Sequence, residues 1–489
     1  MGVLGLESTT MEMCKRLLDP GSFEPHMDDL STQDPLEYPG YLAAAARLRS
    51  RGIDESVATG RGSIDGHPVE VGVFAFAFMG GSMGEVAGER LARGMERAAT
   101  RGVPFVLVTS TGGARIQEGM RALVQMPKVV AARIDLATAH QPLVALFDDP
   151  TTGGVLASIG ALADFTGARP RATVGFAGPR IVQRVTGEPP SGRSHTSESA
   201  LAHGLVDAID DALPEQSWVR ALVGALAPDD PSAVPAPQLV TEPAAAVDEW
   251  AAVSTERSGD RLTAPRLLDE VSESVVEMCG DRAGRDDRAV VAALARIAGR
   301  KAIMLALDRN LAPGPAGFRK ARRAVAVATR LELPIVTLVD TPGADPSEES
   351  ESGGVAWEIA ALFEALLTAP VPVLSVVTGE GGSGGALAFA VGDLLLAFTS
   401  SIFSIIRPEA AAEILWRDPD RAPAAAALLK PSAHDLLRFG IADALVDEPL
   451  DPTTLQRVLA YHLDLLVGDT ATRGEFEHRR RKRWRRSGT

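Results

Sequence analysis

The chain has 489 residues, of which 45% are hydrophobic and 5% aromatic, and a formal net charge of −15. That length suggests two compact domains, each able to bury its own core. The low aromatic content and acidic balance exclude a stacking platform for single-stranded nucleic acid and a general polyanion binder.

Two cysteines, Cys14 and Cys279, stand outside any CxxC or Cys/His cluster. A structural zinc site and a disulfide framework are therefore not expected, and no metal is expected in this chain. No stretch reads as a signal peptide or a membrane span, so the expectation is a cytoplasmic enzyme with no nucleic-acid or membrane partner.

Taken in chain order, strand-like runs "VEVGVFAFAF", "VPFVLV", "QPLVALF" and "RATVGFA" alternate with helix-like stretches such as "GEVAGERLARGMERAATR". In that stretch Val86, Leu91 and Met95 share one face. Residues 226–248, rich in Pro, Ala and acid, read as a linker. After them the alternation repeats: "AVVAALARIAG", "KAIMLAL", "GFRKARRAVAVATRLE", "LPIVTLVD", "ESGGVAWEIAALFEALLTA" and "VPVLSVV". The expected organisation is a domain over 1–225, a linker over 226–248, a second domain over 249–470 and a basic tail over 471–489. Seven of the eight residues 479–486 are basic. Such a run reads as a solvated tail, the alternative being docking to an acidic partner or to CoA phosphates.

In both halves a buried strand delivers a glycine-rich turn followed by a helical stretch: "TRGVPFVLVTSTGGAR" and "TAPVPVLSVVTGEGGSGGA". This is an internal duplication of an α/β unit. Three chemistries fit such turns. "GEGGSG" (379–384) satisfies a dinucleotide fingerprint, but no ribose-binding acid follows at the required distance. "GGSMG" (80–84) and "GGSGG" (381–385) match the elbow of a serine hydrolase, for which Asp418 and His434 could complete the chain order. The third reading uses main-chain N–H groups, which glycine exposes to a ligand and a helix start leaves unpaired, as oxyanion holes. Glycines serving only close helix–strand packing are the plain alternative.

With both halves in view the chain resembles the carboxyltransferase component of acetyl-CoA carboxylase, with β and α subunits joined. The β-like motifs are "FAFAFMGGSMGEVAGER" (74–90), "TSTGGARIQEG" (109–119), "DPTTGGVLA" (149–157) and "GFAGPRIVQR" (175–184). The α-like motifs are "TLVDTPGA" (337–344), "GEGGSGGALAFAVGD" (379–393) and "EILWRD" (413–418).

The resemblance implies an α/β architecture of two crotonase-like domains in tandem, built from repeated ββα units. It also implies transfer of CO2 from carboxybiotin, held on a separate carrier protein, to the α-carbon of acetyl-CoA or a related thioester, giving malonyl-CoA. Gly112, Gly113 and Ala114 would then bind the thioester enolate oxygen, and Gly384, Gly385 and Ala386 the biotin ureido oxygen. Gly80, Gly81, Arg115, Gly153, Gly154, Gly178, Gly381, Gly382 and Arg407 would contact substrates. The implied partners are a biotin carboxyl carrier protein, a biotin carboxylase, an acyl-CoA or acyl carrier protein, and further copies of the chain, most simply as a dimer.

Four departures bear on the acyl substrate. The four-cysteine zinc ribbon of the β family is missing, since "MEMCKRLLDPGSF" resembles the segment after it. The CoA-proximal loop is shortened to "LDRNLAPGPAGFRKARRA", in which Arg319, Lys320, Arg322 and Arg323 could meet CoA phosphates or form an exposed basic face. "RPEA" (407–410) places a bulky cation where the family has Ser-Pro-Glu-Gly, and "DTPGADPSEESESGG" (340–354) is unusually acidic. A specialised carboxylase of acyl-CoA or acyl carrier protein, or a decarboxylase, of secondary metabolism is the alternative on the same fold. A serine hydrolase is the alternative from another class.

Overall fold

A computed structural model describes residues 14, 17–210, 217–258, 261–448, 451–468 and 475–486. The N-terminal motif "MEMCKRLLDPGSF" and the ends of the basic tail lie partly outside them. The chain divides into two units, Met1–Ala227 and Pro228–Thr489. Among the described residues no helix is long and apolar enough to cross a membrane.

The first unit holds β1 (Glu24–Pro25), β2 (Val57–Ile64), β3 (His67–Phe74), β4 (Phe105–Thr111), β5 (Leu143–Thr152), β6 (Phe165–Ala168), β7 (Val174–Gly175) and β8 (Ala208–Ile209). They form one sheet in the order β1-β2-β3-β4-β5-β6-β8, with β7 also paired to β5. β1, β2 and β3 are antiparallel, and the pairs from β3 onward are parallel. The unit's helices include α1 (Tyr41–Arg49), α2 (Glu85–Arg101), α3 (Gln125–Thr138) and α4 (Pro179–Thr186).

The second unit repeats this strand for strand. It holds β9 (Ser274–Glu277), β10 (Val290–Ile297), β11 (Arg300–Leu307), β12 (Ile335–Thr341), β13 (Val373–Gly382), β14 (Leu394–Phe398), β15 (Ile402–Ser404) and β16 (Ala444–Val446). The order is β9-β10-β11-β12-β13-β14-β16, with β15 on β13. Its helices include α5 (Glu249–Ser258), α6 (Ala264–Val271), α7 (Pro315–Leu331), α8 (Val355–Thr368), α9 (Pro408–Trp416), α10 (Pro452–Gly468) and α11 (Glu475–Trp484).

Local chemistry explains the repeat. Both β2–β3 and β10–β11 are closed by two residues with positive φ, Asp65–Gly66 and Ala298–Gly299, as a tight hairpin matching strand twist requires. All seven residues of β4 and of β12 are buried, which is why "FVLVTST" and "IVTLVDT" read as continuous runs rather than alternating ones. α2 lays Ala87, Leu91, Met95 and Ala98 on the sheet. Gly94 of this helix makes room for Phe105, since a Cβ there would stand 2.8 Å from that ring.

Two expectations need correction. The 226–248 segment is not a free spacer: Asp230 N–H donates to Gly299 O at 3.0 Å, and Val240 and Leu445 exchange bonds of 2.9 and 2.8 Å. The basic run is not wholly a solvated tail either: it forms α11 and buries Arg480, while Arg479, Arg481, Lys482, Arg485 and Arg486 stay exposed. Arg480 donates to the carbonyls of Ala369 at 3.0 Å and Val371 at 2.7 Å and to the Asp393 carboxylate at 2.6 Å. Those acceptors satisfy a charge that would otherwise be prohibitive to bury.

Candidate active site

The parallel strands end on glycine-rich turns, and each unit sets two of them side by side. β4 runs into Gly112-Gly113-Ala114 and β5 into Gly153-Gly154. Gly112 N–H donates to Gly80 O at 2.9 Å, Gly113 N–H to Thr111 Oγ1 at 3.0 Å, and Arg115 N–H to Met83 O at 2.9 Å. The intervening Ala114 N–H has no acceptor among the described residues. Gly113 has φ 107°, and a Cβ on it would lie 3.1 Å from Gly153 Cα and 3.2 Å from Gly154 N. The helical turn Gly153–Val155 begins without a side-chain cap, so its leading amides lack partners within it. Among the described residues Ala114, Gly154 and Val155 thus have N–H groups without an acceptor, on two turns that meet where Gly113 approaches Gly153 and Gly154.

The glycines at 80 and 81 belong to the loop beneath: both have positive φ, and a Cβ on Gly81 would fall 1.9 Å from Ser110 O. Gly178 precedes α4, which buries none of its eight residues.

The second unit has the same construction. β12 runs into Pro342-Gly343-Ala344 and β13 into Ser383-Gly384-Gly385-Ala386. Gly343 N–H donates to Thr341 Oγ1 at 3.3 Å and Asp345 N–H to Pro313 O at 3.0 Å. Ala344 N–H has no acceptor among the described residues. A Cβ on Gly385 would lie 2.7 Å from Ala344 N, and one on Gly382 2.1 Å from Pro342 O. Gly381 is bare because a Cβ would meet the Phe403 ring at 2.1 Å, whereas Gly384 faces open space. The close-packing role therefore accounts for Gly81, Gly381 and Gly382.

The register corrects how the duplication was aligned. β4 and β5 slip between Thr109 and Thr111, and β12 and β13 between Val339 and Thr341. Hence the counterpart of Gly112-Gly113-Ala114 is Pro342-Gly343-Ala344, and that of Gly153-Gly154 is Ser383-Gly384. Backbone angles agree: φ is 107° at Gly113 and 125° at Gly343, 64° at Gly153 and 59° at Ser383. The turns alike in sequence are not the turns alike in position. Gly343 and Ala344 thus join the candidate site by position, which sequence reading passed over, although "DTPGA" carried the signal of a tight turn after a buried strand.

Several charged candidates lie elsewhere. Arg115 is fully buried, donating to Glu55, to Ser56 Oγ and Ser82 O at 2.8 Å each, and to Glu118 at 3.2 Å. Burial opposes its charge, but the Glu55 carboxylate outweighs that and holds its pKa above the usual value. Arg115 is thus closed to substrate and instead clamps the loop of Gly80 and Gly81 to the turn after β4.

Lys320 is buried and paired with Asp286 at 2.9 Å. Arg319 joins Asp281 at 2.7 Å, Arg322 joins Glu358 at 2.6 Å, and Arg323 donates to Cys279 O at 2.9 Å. These four stitch α7 to its surroundings. Arg407 is exposed beside Glu380 at 3.8 Å, so its charge next to the second turn pair is partly balanced.

The hydrolase and dinucleotide readings gain no support from the observed contacts. Ser82 is buried and Arg115 Nε points at its Oγ at 3.3 Å. His434 Nδ1 accepts from Ala244 N–H at 3.2 Å, and Asp418 caps Asp420 at 3.2 Å, so neither reaches Ser383 through these bonds. The helix after "GEGGSG" spans only Ser383–Leu387, too short for a pyrophosphate-binding helix start. Ser383 holds a left-handed φ that favours glycine by about 1 kcal/mol. Ser383→Gly should therefore raise the melting temperature slightly and keep transfer activity, as read by calorimetry and turnover. Loss of activity would restore the serine as a nucleophile.

Comparison with known proteins gives the family and the fold. A family profile described as acetyl co-enzyme A carboxylase carboxyltransferase-like matches residues 236–463. The acetyl-coenzyme A carboxylase carboxyl transferase subunits beta/alpha of Salinispora arenicola is 39% identical, over 97% of this chain and 89% of its own. The protein of the same name from Clostridium tetani is 32% identical over 89% of this chain and 78% of its own. The fold superposes with a TM-score of 0.77, at 25% identity, on a transcarboxylase 12S crystal structure with hydrolysed methylmalonyl-coenzyme A bound, covering 95% of this chain and 91% of that one. Two crotonase-like units carrying paired glycine turns, joined in the β-then-α order of these relatives, make this chain a member of the carboxyltransferase family of biotin-dependent acyl-CoA carboxylases.

Proposed function

We propose that the chain carboxylates acetyl-CoA or a closely related short acyl thioester, using carboxybiotin delivered on a separate carrier protein. The observation that carries this reading is the presence of one pair of backbone turns per unit, each offering unpaired N–H groups. Carboxybiotin supplies the CO2 and, once it has released it, a ureido nitrogen basic enough to take the α-proton of the thioester. The chain stabilises the two oxyanions this creates. Ala114 with Gly154 and Val155 would hold the enolate oxygen, and Ala344 with Gly384 and Gly385 the ureido oxygen. Such donors sit in fixed backbone and need no reorganisation as charge develops. No side-chain nucleophile takes part, in keeping with the unassembled triad.

Assembly with further copies of this chain is part of the reading. Ile116, Met120, Phe176, Ile181 and Val185 are exposed apolar residues of the first unit, the kind of residue that a subunit interface would cover. Sedimentation should give the mass of a dimer or larger oligomer, and a monomer would contradict this part.

The substrate test compares acetyl-CoA, propionyl-CoA and a long-chain acyl-CoA with carboxylated carrier protein, following carboxylated product by mass. The highest kcat/KM is expected for a short chain, whereas a long-chain preference would overturn the proposed substrate.

A further inference from the structure

Arg261 lies beneath both turns of the second unit. Its Nη1 and Nη2 each donate to the Asp340 carboxylate at 2.8 Å, and Nη2 also donates to Glu256. Asp340 is the penultimate residue of β12, two before Pro342, and its Oδ1 also accepts Glu380 N–H at 3.1 Å. One carboxylate therefore ties the end of β12 to the end of β13, and the guanidinium fixes that carboxylate from both its oxygens. Gly379 is bare for this reason: a Cβ would stand 1.9 Å from Arg261 Nη2 and 2.2 Å from Asp340 Oδ1.

The first unit does the same task without ions. By register Ser110 corresponds to Asp340 and Asp149 to Gly379, and there Ser110 Oγ donates to Asp149 O at 2.8 Å while Thr109 and Thr151 share a bond of 2.7 Å. A buried ionic cluster is seldom a net gain in stability over neutral packing, whereas a bidentate arginine–carboxylate pair is strongly directional. The cluster's value is geometric.

We propose that Arg261, locked by Asp340 and Glu256, is a positioning residue that sets the spacing of Ala344 against Gly385 in the half-site that receives the biotin ring. This rests on the reading of that turn pair as the ureido-oxygen site. Burial pushes the Glu256 carboxyl up from 4.5 to about 7, against the pull of Arg261 and, more weakly, Arg309, with Asp340 adding to the rise. The folded chain thus keeps a proton that the unfolded chain loses. Its stability falls as pH rises from 4.5 through about 7.

The test uses full-length Arg261→Met, Arg261→Lys and Glu256→Gln with free biotin and malonyl-CoA, reading the reverse transfer as biotin-dependent formation of acetyl-CoA. Arg261→Met should lose about 100-fold in kcat, the scale of one oxyanion donor, with little change in KM for the acyl-CoA. Arg261→Lys, which restores charge but not the two-donor fork, should recover only part. Wild-type kcat in a folded Arg261→Met would overturn this inference alone. Absence of transfer by the wild type would overturn the functional reading and the inference with it. If Arg261→Met fails to fold, Glu256→Gln decides. The wild type should show a kcat inflection near pH 7 that this near-isosteric variant lacks, and the same inflection in both would overturn the proposal.

Discussion

Gly385→Ala should abolish most carboxyl transfer while the second unit stays folded. The added Cβ would sit 2.7 Å from Ala344 N and 3.0 Å from Ala344 Cβ, so the two turns must part by several tenths of an ångström. Oxyanion donors act only when aimed at the place where charge develops. Displacing one costs about 3 to 4 kcal/mol, or 100- to 1,000-fold in kcat. Gly384→Ala is the control, since its Cβ would meet nothing in the protein within 4 Å. It should act mainly through KM for biotin. Steady-state kinetics on both variants checks the pair, and a Gly385→Ala enzyme with wild-type kcat would show that the turn spacing is irrelevant.

The second large effect is on stability. Arg115→Met should leave Glu55 and Glu118, both buried, without their cation. Breaking such a pair from one side costs about 3 to 5 kcal/mol, roughly 10 °C in the melting temperature of a domain this size. Tyr41 shares the cluster through the Glu118 carboxylate, and burial together with that carboxylate holds its phenol pKa well above the usual value. Thermal unfolding at neutral pH reads the loss. If the melting temperature held while acyl-CoA affinity fell, Arg115 would be a substrate residue after all.

Much of the fold was legible because its signals are local. The mainly apolar runs "VPFVLV" and "LPIVTLVD" marked β4 and β12, and the spacing of Leu91 and Met95 marked α2. The duplication was legible too, but its alignment was not. Gly-Gly-Ala at 112–114 and at 384–386 match as letters, while the structure matches 112–114 to Pro342-Gly343-Ala344. Backbone conformation is what repeats. Gly153 and Ser383 share a left-handed φ, and a serine there hides the correspondence from any search by identity.

Charged residues misled for a different reason. Arg480 looks like its neighbours in the basic run, yet its acceptors are mainly main-chain carbonyls of Leu366, Ala369 and Val371. Carbonyls leave no trace in sequence. The same holds for Arg323 on Cys279 O and Gly280 O. Arg261 and Asp340 lie 79 residues apart, and neither belongs to a motif that would join them before the fold does.

The most direct measurement incubates the full chain with malonyl-CoA and free biotin and follows every CoA species by mass. Biotin-dependent conversion of malonyl-CoA to acetyl-CoA, with the thioester intact, is the predicted result. It should collapse in Gly385→Ala and persist in Ser383→Gly. Release of free CoA that is indifferent to biotin and lost in Ser383→Gly would contradict the account and make the chain a thioester hydrolase.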